Sequence, residues 1–268
     1  QKILRSDLRS DRARPRKRAS VGSSLTTGEV RMHRHRAIVR HGSECDITGV
    51  CELEKRIWSS RNVVSLEEDT VQTWIKTHRD GFLVGEYESR IRGYAYFEYL
   101  SYDPERLDAD WPPAHAPLTT RHHDPRGNAM YGISAAADLP GLGTQLFKRA
   151  LEIGSALGKT HLATLIRMQG LARFLRELHE AHPEARSYSE SELALWYAMR
   201  CVQAAGGAIA QHVAPQTPPH FFPQYIRKDP VLTYPARVAH MTLHAIIPSS
   251  FHDRESANLL ALATFPAL

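Results

Sequence analysis

Hydrophobic and polar positions fall into regular patterns from about residue 36 onward. Ala37-Ile38-Val39-Arg40 has the pattern of a short strand. Asp46 stands where a helix N-cap would, and Ile47, Val50, Cys51, Glu54, Ile57 and Trp58 follow at helical spacing. Glu54 is the one polar residue on that face. Ser65-Leu66-Glu67-Glu68 has capping-box form and opens a second helix, whose buried face is Val71, Trp74 and Ile75. Phe82–Tyr87 and Ile91–Tyr99, joined by a polar turn at Glu88-Ser89-Arg90, predict a β-hairpin.

The most informative stretch lies further on. The apolar run Ala129–Ala137 reaches a tight turn, Asp138-Leu139-Pro140-Gly141-Leu142-Gly143, and the amphipathic segment Thr144–Gly154 follows at once. The order is strand, glycine turn, helix N-terminus. The first amides of a helix have no partner inside it, and together with the helix dipole they suit a phosphate or pyrophosphate. A nucleotide-bearing cofactor is therefore expected. Leu146, Phe147, Ala150, Leu151, Gly154 and Leu157 form the helix's apolar stripe, with Lys148 and Glu152 paired on its wet face.

Residues 101–128, rich in Pro, Asp and His, predict a long loop from Asp103 to Asn128, a length typical of lids and binding loops. Downstream, His161–Met168 reads as a strand and Leu171–Leu178 begins a helix. A break at His182–Ser189 precedes the helix Glu190–Ala205, which Gly206-Gly207 ends, and Ala208–Val213 is another strand. After the loop Pro215–Pro223, Tyr225-Ile226-Arg227 and Val231–Val238 are further strand candidates. Beyond Met241 the periodicity fades, and a loosely held tail is expected.

Composition adds a charge asymmetry. Of 34 Lys/Arg and 29 Asp/Glu in 268 residues, residues 1–40 hold 12 and 3, so a strongly basic head precedes a mildly acidic body. The densest patch, Arg12-Ala13-Arg14-Pro15-Arg16-Lys17-Arg18, has the chemistry to contact phosphates. It lacks apolar periodicity and aromatic platforms, so residues 1–35 read as a disordered extension. No apolar run approaches the roughly 20 residues needed to span a bilayer, and no signal-peptide pattern is seen, so a cytoplasmic location is expected. Cys45, Cys51 and Cys201 fit no paired metal spacing, and neither do His33-x-His35 or His122-His123. No metal is expected. Cys51 and Cys201 read as core fillers.

Several stretches resemble the GCN5-related N-acetyltransferase (GNAT) family, over roughly residues 36–240. Cys51-Glu52-Leu53-Glu54-Lys55-Arg56-Ile57-Trp58 is similar to its first helix. Phe82-Leu83-Val84 with Ile91-Arg92-Gly93-Tyr94-Ala95-Tyr96-Phe97 is similar to its central hairpin. Gly141-Leu142-Gly143-Thr144-Gln145-Leu146 resembles the second half of its acyl-CoA motif, Arg/Gln-x-x-Gly-x-Gly/Ala. The resemblance implies an α/β fold with a mixed, mostly antiparallel central sheet flanked by helices. It divides the chain into the basic extension 1–35, an acyltransferase domain 36–240 and the tail 241–268.

The resemblance further implies acetyl-CoA as co-substrate and direct attack by a primary amine on the thioester. Gly141, Leu142, Gly143, Thr144 and Gln145 would cradle the pyrophosphate, while Tyr131, Ile133 and Ser134 would flank the thioester. A free alkyl amine has a pKa near ~10.4 and must lose a proton before attack. Glu98 is the candidate base, with its neighbours Phe97 and Tyr99 raising its pKa. Tyr197, and next Tyr188, are candidate acids for the leaving thiolate. Tyr94, Tyr96 and Trp111 are candidates for the acceptor pocket, and the acidic residues Asp103, Glu105, Asp108, Asp110 and Asp124 suggest a cationic acceptor.

The chain departs from the family pattern in three places. Asp138 stands where the family has Arg or Gln, Gln169 is the nearest match to its later Asn, and the region after the next strand is expanded. Two alternatives therefore stand beside the acetyltransferase. One is a catalytically degenerate acyl-CoA-binding or structural module. The other is a nucleic-acid-associated protein that uses the basic head. Monomer and homodimer are both open.

Overall fold

The computed structural model describes residues 37–58, 66–101, 123–211, 213, 217–223, 229–248 and 256–266. The basic head, Ser65, Trp111 and most of the acidic loop lie outside these residues. Eight strands form one sheet in the order β1-β2-β3-β4-β5-β8-β7-β6. They are β1 (Ile38–His41), β2 (Phe82–Tyr87), β3 (Arg90–Leu100), β4 (Ala129–Ala137), β5 (His161–Arg167), β6 (Ala208–Ile209), β7 (Thr242–Pro248) and β8 (Leu259–Pro266). Two neighbouring pairs, β4/β5 and β6/β7, are parallel and the rest antiparallel. The sheet is thus mixed and mostly antiparallel, with helices on both faces.

Side chains alternate across the sheet, and this sets the two layers. Val84, Tyr94 and Tyr96 face α1 (Ile47–Trp58) and α2 (Glu68–His78), burying Val50, Leu53, Val71 and Trp74. Leu83, Ala95, Phe97 and Tyr99 face the opposite layer. That layer holds α3 (Leu142–Ala156), α4 (Leu171–Ala181), α5 (Glu190–Ala204) and α6 (Pro230–Ala239). The β2–β3 turn places Glu88 and Ser89 at φ 50° and 58°, the left-handed pair that matches the strand twist. Gly85 and Gly93 face each other across β2 and β3. A Cβ on Gly85 would lie 2.6 Å from Leu142 Cδ1, and one on Gly93 would lie 2.9 Å from Leu146 Cδ1. Their bare backbone lets the start of α3 approach the sheet closely.

Several expectations need correction. The tail expected over 241–268 is not what its described residues form, because β8 pairs along the whole of β5 and β7 pairs with β8. Both strands are nearly continuous in apolar residues, and a strand covered on both faces has no alternation to read. Residues 230–239 form a helix rather than a strand, since Asp229 caps it by accepting from Val231 N at 3.0 Å and Pro230 occupies its first turn. Asp46 is not an N-cap: it lies three residues into a 3₁₀ turn begun by Ser43 and accepts from Ser43 N at 2.9 Å. On α3, Leu157 lies past the helix and is 53% exposed, and Glu152 pairs with Arg149, not Lys148.

Phe265 on β8 is fully buried, with Phe147 of α3 edge-on at 5.0 Å. Phe265→Ala is expected to cost about 3–5 kcal/mol in denaturant unfolding, the price of a large core truncation. A residue in a loose tail would cost less than about 0.5 kcal/mol.

Candidate functional site

The parallel ladder between β4 and β5 stops early. It runs from Ala129↔His161 to Gly132↔Thr164, although β4 continues to Ala137 and β5 to Arg167. At that point β4 carries a bulge: Tyr96 pairs with Ser134 and Phe97 with Gly132, so Ile133 is the extra residue. A bulge bends its strand and raises its local twist. Thr164 Oγ1 donates to Gly132 O at 2.9 Å and closes the last rung. Past it, β4 stays with β3 and β5 stays with β8, so the sheet opens between them.

The glycine turn lies at the end of β4, beyond this opening. Gly141, at φ +82°, is the N-cap of α3, a left-handed position that a side chain would strain. Leu142 N donates to Leu139 O at 3.1 Å and Gln145 N to Gly141 O at 3.2 Å. Within the expected cradle Leu142–Gln145, the amides of Gly143 and Thr144 are the pair this turn offers to a ligand. A Cβ on Gly143 would meet only the Ala137 Cβ, at 3.8 Å, so the space beside Gly143 is open.

Asp138, which in sequence places a negative charge beside this cradle, is compensated. Arg92 Nε donates to it at 2.6 Å and Arg56 Nη2 at 3.3 Å. Both arginines are partly exposed, and Arg56 also donates to Ile91 O at 3.3 Å. The mouth of the turn therefore carries two guanidinium groups against one carboxylate. They come from α1 and β3, remote in sequence from the turn.

Inward, on the α1 side, lies a buried polar chain that the sequence marked only by a lone carboxylate on the apolar face of α1. Tyr94 OH donates to Glu54 Oε1 at 2.7 Å and is 2.7 Å from Ser134 Oγ. Trp58 Nε1 donates to the same Glu54 oxygen at 2.9 Å. Burial raises the Glu54 carboxyl above its ordinary range, opposed by these donors and by the Arg167 charge. Arg167, at the end of β5, stacks its guanidinium 4.4 Å from the centre of the Trp58 ring.

Glu98 shares this face of β3 with Tyr94 and Tyr96 and is 2% exposed. Tyr96 OH donates to it at 3.1 Å, and Tyr131 is its cross-strand partner. Burial pushes its carboxyl up to about 7. Phe97 and Tyr99 point to the other layer, so its desolvation comes from its own face instead. Tyr131 is held above the usual tyrosine value by burial and the Glu98 charge. Tyr96 stacks on Trp74 at 4.5 Å, so Tyr94 and Tyr96 are core residues first.

The two expected acids are elsewhere. Tyr197 packs in the α3–α6 layer and donates to Asp229 Oδ2 at 3.2 Å. Asp229 also accepts from Gly170 N at 3.0 Å, so this pair ties α5 to the starts of α4 and α6. Tyr188 lies edge-on to Trp196 at 5.3 Å and Phe221 at 5.8 Å. Strand alternation puts Glu98 on the opposite face, and the fold does not bring either tyrosine to it.

No family model matches the chain, and neither does any curated protein. Solved structures do. The chain is similar to the GphF GNAT-like decarboxylase in complex with isobutyryl-CoA, at 18% identity over 86% of this chain and all of that one, with TM-score 0.59. It is also similar to the loading GNATL domain of CurA from Lyngbya majuscula, at 14% identity over 87% and 98% of the two chains, with TM-score 0.57. Likeness at this level establishes the fold. Among the described residues, no helix is long and apolar enough to cross a membrane.

Below about pH 4.5 the Glu98 carboxyl is neutral in folded and unfolded chains alike. Between there and about pH 7 the unfolded chain ionises while folded Glu98 keeps its proton, so this residue lowers stability as pH rises. Glu98→Gln is expected to gain on the parent protein across that window, by up to about 3 kcal/mol. Urea midpoints measured at pH 4.5 and pH 7.5 check the trend.

Proposed function

We propose that this chain, which has the GNAT fold, is an acyl-CoA-utilising enzyme that transfers an acetyl group from acetyl-CoA to a primary amine. The observation that carries this reading is the parting of β4 and β5 at the Ile133 bulge, with a glycine turn and helix N-terminus where the parted strand ends. The residues present fit the co-substrate. Gly143 and Thr144 amides would take the pyrophosphate with the α3 dipole behind them. Arg56 and Arg92 would supply the donor groups that the family motif draws from an Arg or Gln at the place of Asp138. Ile133 and Ser134, past the last rung, and Tyr131, just before it, would flank the thioester. The GNAT-like decarboxylase of similar fold, solved in complex with isobutyryl-CoA, supports a CoA ester as the ligand.

Bound acetyl-CoA supplies an activated thioester carbonyl. Glu98 is the group suited to accept the proton of the incoming amine, because a base whose pKa lies near 7 is both ionised enough and basic enough at neutral pH. Its buried position beside Tyr131 keeps it near the opening yet out of bulk water. The acceptor's identity is left to assay with a panel of cationic amines.

A second reading has its own observation. Arg167, stacked on Trp58 past the last β4–β5 rung, is the residue type that holds a carboxylate, and one relative is a GNAT-like decarboxylase. Under it, the substrate would be a CoA ester whose acyl group bears a carboxylate, and the reaction its decarboxylation. Release of free thiol from acetyl-CoA in the presence of amine supports transfer. Release of carbon dioxide from malonyl-CoA without thiol supports decarboxylation.

Gly143→Glu would bring bulk and charge over the amide pair. It is expected to weaken CoA binding at least tenfold by calorimetry, with an unchanged circular dichroism spectrum. Arg92→Glu should weaken CoA in the same way but leave dephosphorylated pantetheine unaffected, since only CoA presents the phosphates. Equal binding of CoA by all three proteins would overturn the assignment of the turn.

A further inference from the structure

The expected acids, Tyr197 and Tyr188, lie across the sheet from Glu98, in the α3–α6 layer. A buried hydroxyl chain on the correct face ends in the opening. Ser134 Oγ lies immediately after the bulge, half-exposed, 2.7 Å from Tyr94 OH. Tyr94 is fully buried and 2.7 Å from Glu54, which is itself buried. Ser134 comes from β4, Tyr94 from β3 and Glu54 from α1, so three elements converge to build the chain.

We propose that Ser134 protonates the leaving CoA thiolate and that Tyr94 and Glu54 form the relay that resupplies its proton. This rests on the acyl-CoA reading of the opening. As the tetrahedral intermediate collapses, the C–S bond breaks and its electron pair stays on sulfur. The Ser134 hydroxyl proton moves to that sulfur, the Tyr94 proton moves to Ser134, and the Glu54 carboxyl proton moves to Tyr94. Glu54 is left ionised and regains a proton from solvent once product leaves. The proton that the amine lost to Glu98 balances the one the thiol gains.

Every link is a hydroxyl or carboxyl, each able to donate and to accept, so the chain can reverse its polarity without rotating a bulky group. With Glu54 protonated, the hydroxyls point outward and Ser134 donates into the opening. With Glu54 ionised, Tyr94 and Trp58 donate to it and Ser134 donates inward. Burial favours the protonated form, and the Tyr94, Trp58 and Leu66 donors and the Arg167 charge favour the ionised one, so both are accessible to the relay. The groups facing Glu54 and its relay are Tyr94 from β3, Ser134 from β4, Arg167 from β5, and Trp58 and Cys51 from α1, with the Leu66 amide ahead of α2. Arg167 is the charge that opposes the protonated state, and its attraction keeps the carboxyl able to release its proton. Tyr94 cannot serve as the store itself, since burial and Glu54 hold its phenol well above the usual value. Ser134 is the catalytic residue of this trio; Tyr94 and Glu54 act through it.

The test compares the parent protein with Ser134→Ala, Ser134→Thr, Tyr94→Phe and Glu54→Gln, using thiol release from acetyl-CoA with an amine panel, and calorimetry for CoA. Ser134→Ala, Tyr94→Phe and Glu54→Gln are expected to lower kcat about 100-fold, the scale of lost general acid catalysis, with CoA affinity within twofold. Ser134→Thr keeps the hydroxyl and should retain most activity. The fall of kcat at high pH, which reports the acid, should disappear in Glu54→Gln. Tyr94→Phe with kcat within threefold of the parent, or Ser134→Thr as inactive as Ser134→Ala, would overturn the relay.

An infrared measurement decides without a known amine. The Glu54 carboxyl band, identified by its loss in Glu54→Gln, should move in Tyr94→Phe and on addition of CoA, and the response to CoA should vanish in Ser134→Ala. A band indifferent to bound CoA overturns the relay even if no amine is turned over. Failure of the parent protein to bind CoA refutes the acyl-CoA reading instead.

Discussion

The fold depends on where two parallel strands stop pairing. β4 and β5 hold each other through Gly132↔Thr164 and then separate, because β4 spends an extra residue at Ile133 and remains in register with β3. Each strand keeps a partner on its other side, so the sheet opens locally without losing its ladders. An opening of this kind places backbone groups and half-buried side chains around a narrow gap inside an otherwise closed core. Ser134 and the glycine turn follow the last rung because both belong to β4 past Gly132 or to its immediate continuation.

Electrostatics around the gap is graded from rim to interior. At the rim, Asp138 is neutralised by Arg92 and Arg56, leaving the turn attractive to anions. Inside, two carboxylates are desolvated on the same face of the sheet, and the environments differ. Glu54 takes donors from Tyr94 and Trp58 and feels Arg167, whereas Glu98 receives one tyrosine hydroxyl. Unequal surroundings separate the proton affinities of paired carboxyls, and that separation is what allows one to take a proton while another supplies one. In the opposite layer, Asp229 joins three helices through Tyr197, Gly170 and its own cap on α6.

Much of the fold was legible along the chain. The hairpin, the first two helices, the strand–turn–helix at 129–156 and the late helices all repeat at periods of two or 3.6 residues, and these are local properties. Misreadings arose where local signals weaken. Strands β7 and β8 are apolar on both faces and show no alternation, and 230–239 holds a Pro and β-branched residues that speak against the helix its Asp229 cap enforces. At the site, the glycine turn was legible because a turn and helix cap are built from contiguous backbone. Asp138 was legible only as a defect, since Arg56 and Arg92 lie 82 and 46 positions away from it.

The amino-acid sequence by itself determined the order of elements, the open space at Gly141 and Gly143, and the presence of one carboxylate on the buried stripe of α1. Periodicity, turn chemistry and the absence of a Cβ act within a few residues, so they can be read without a fold. Only the tertiary structure decided which carboxylates and hydroxyls meet. Tyr94 lies 40 positions from Glu54 and 40 from Ser134, and it touches both because sheet register and helix packing bring the three to one face. Tyr197 and Tyr188 stay apart from that group because α5 and the turn ahead of it pack in the opposite layer, while strand alternation turns Glu98 toward α1 and α2.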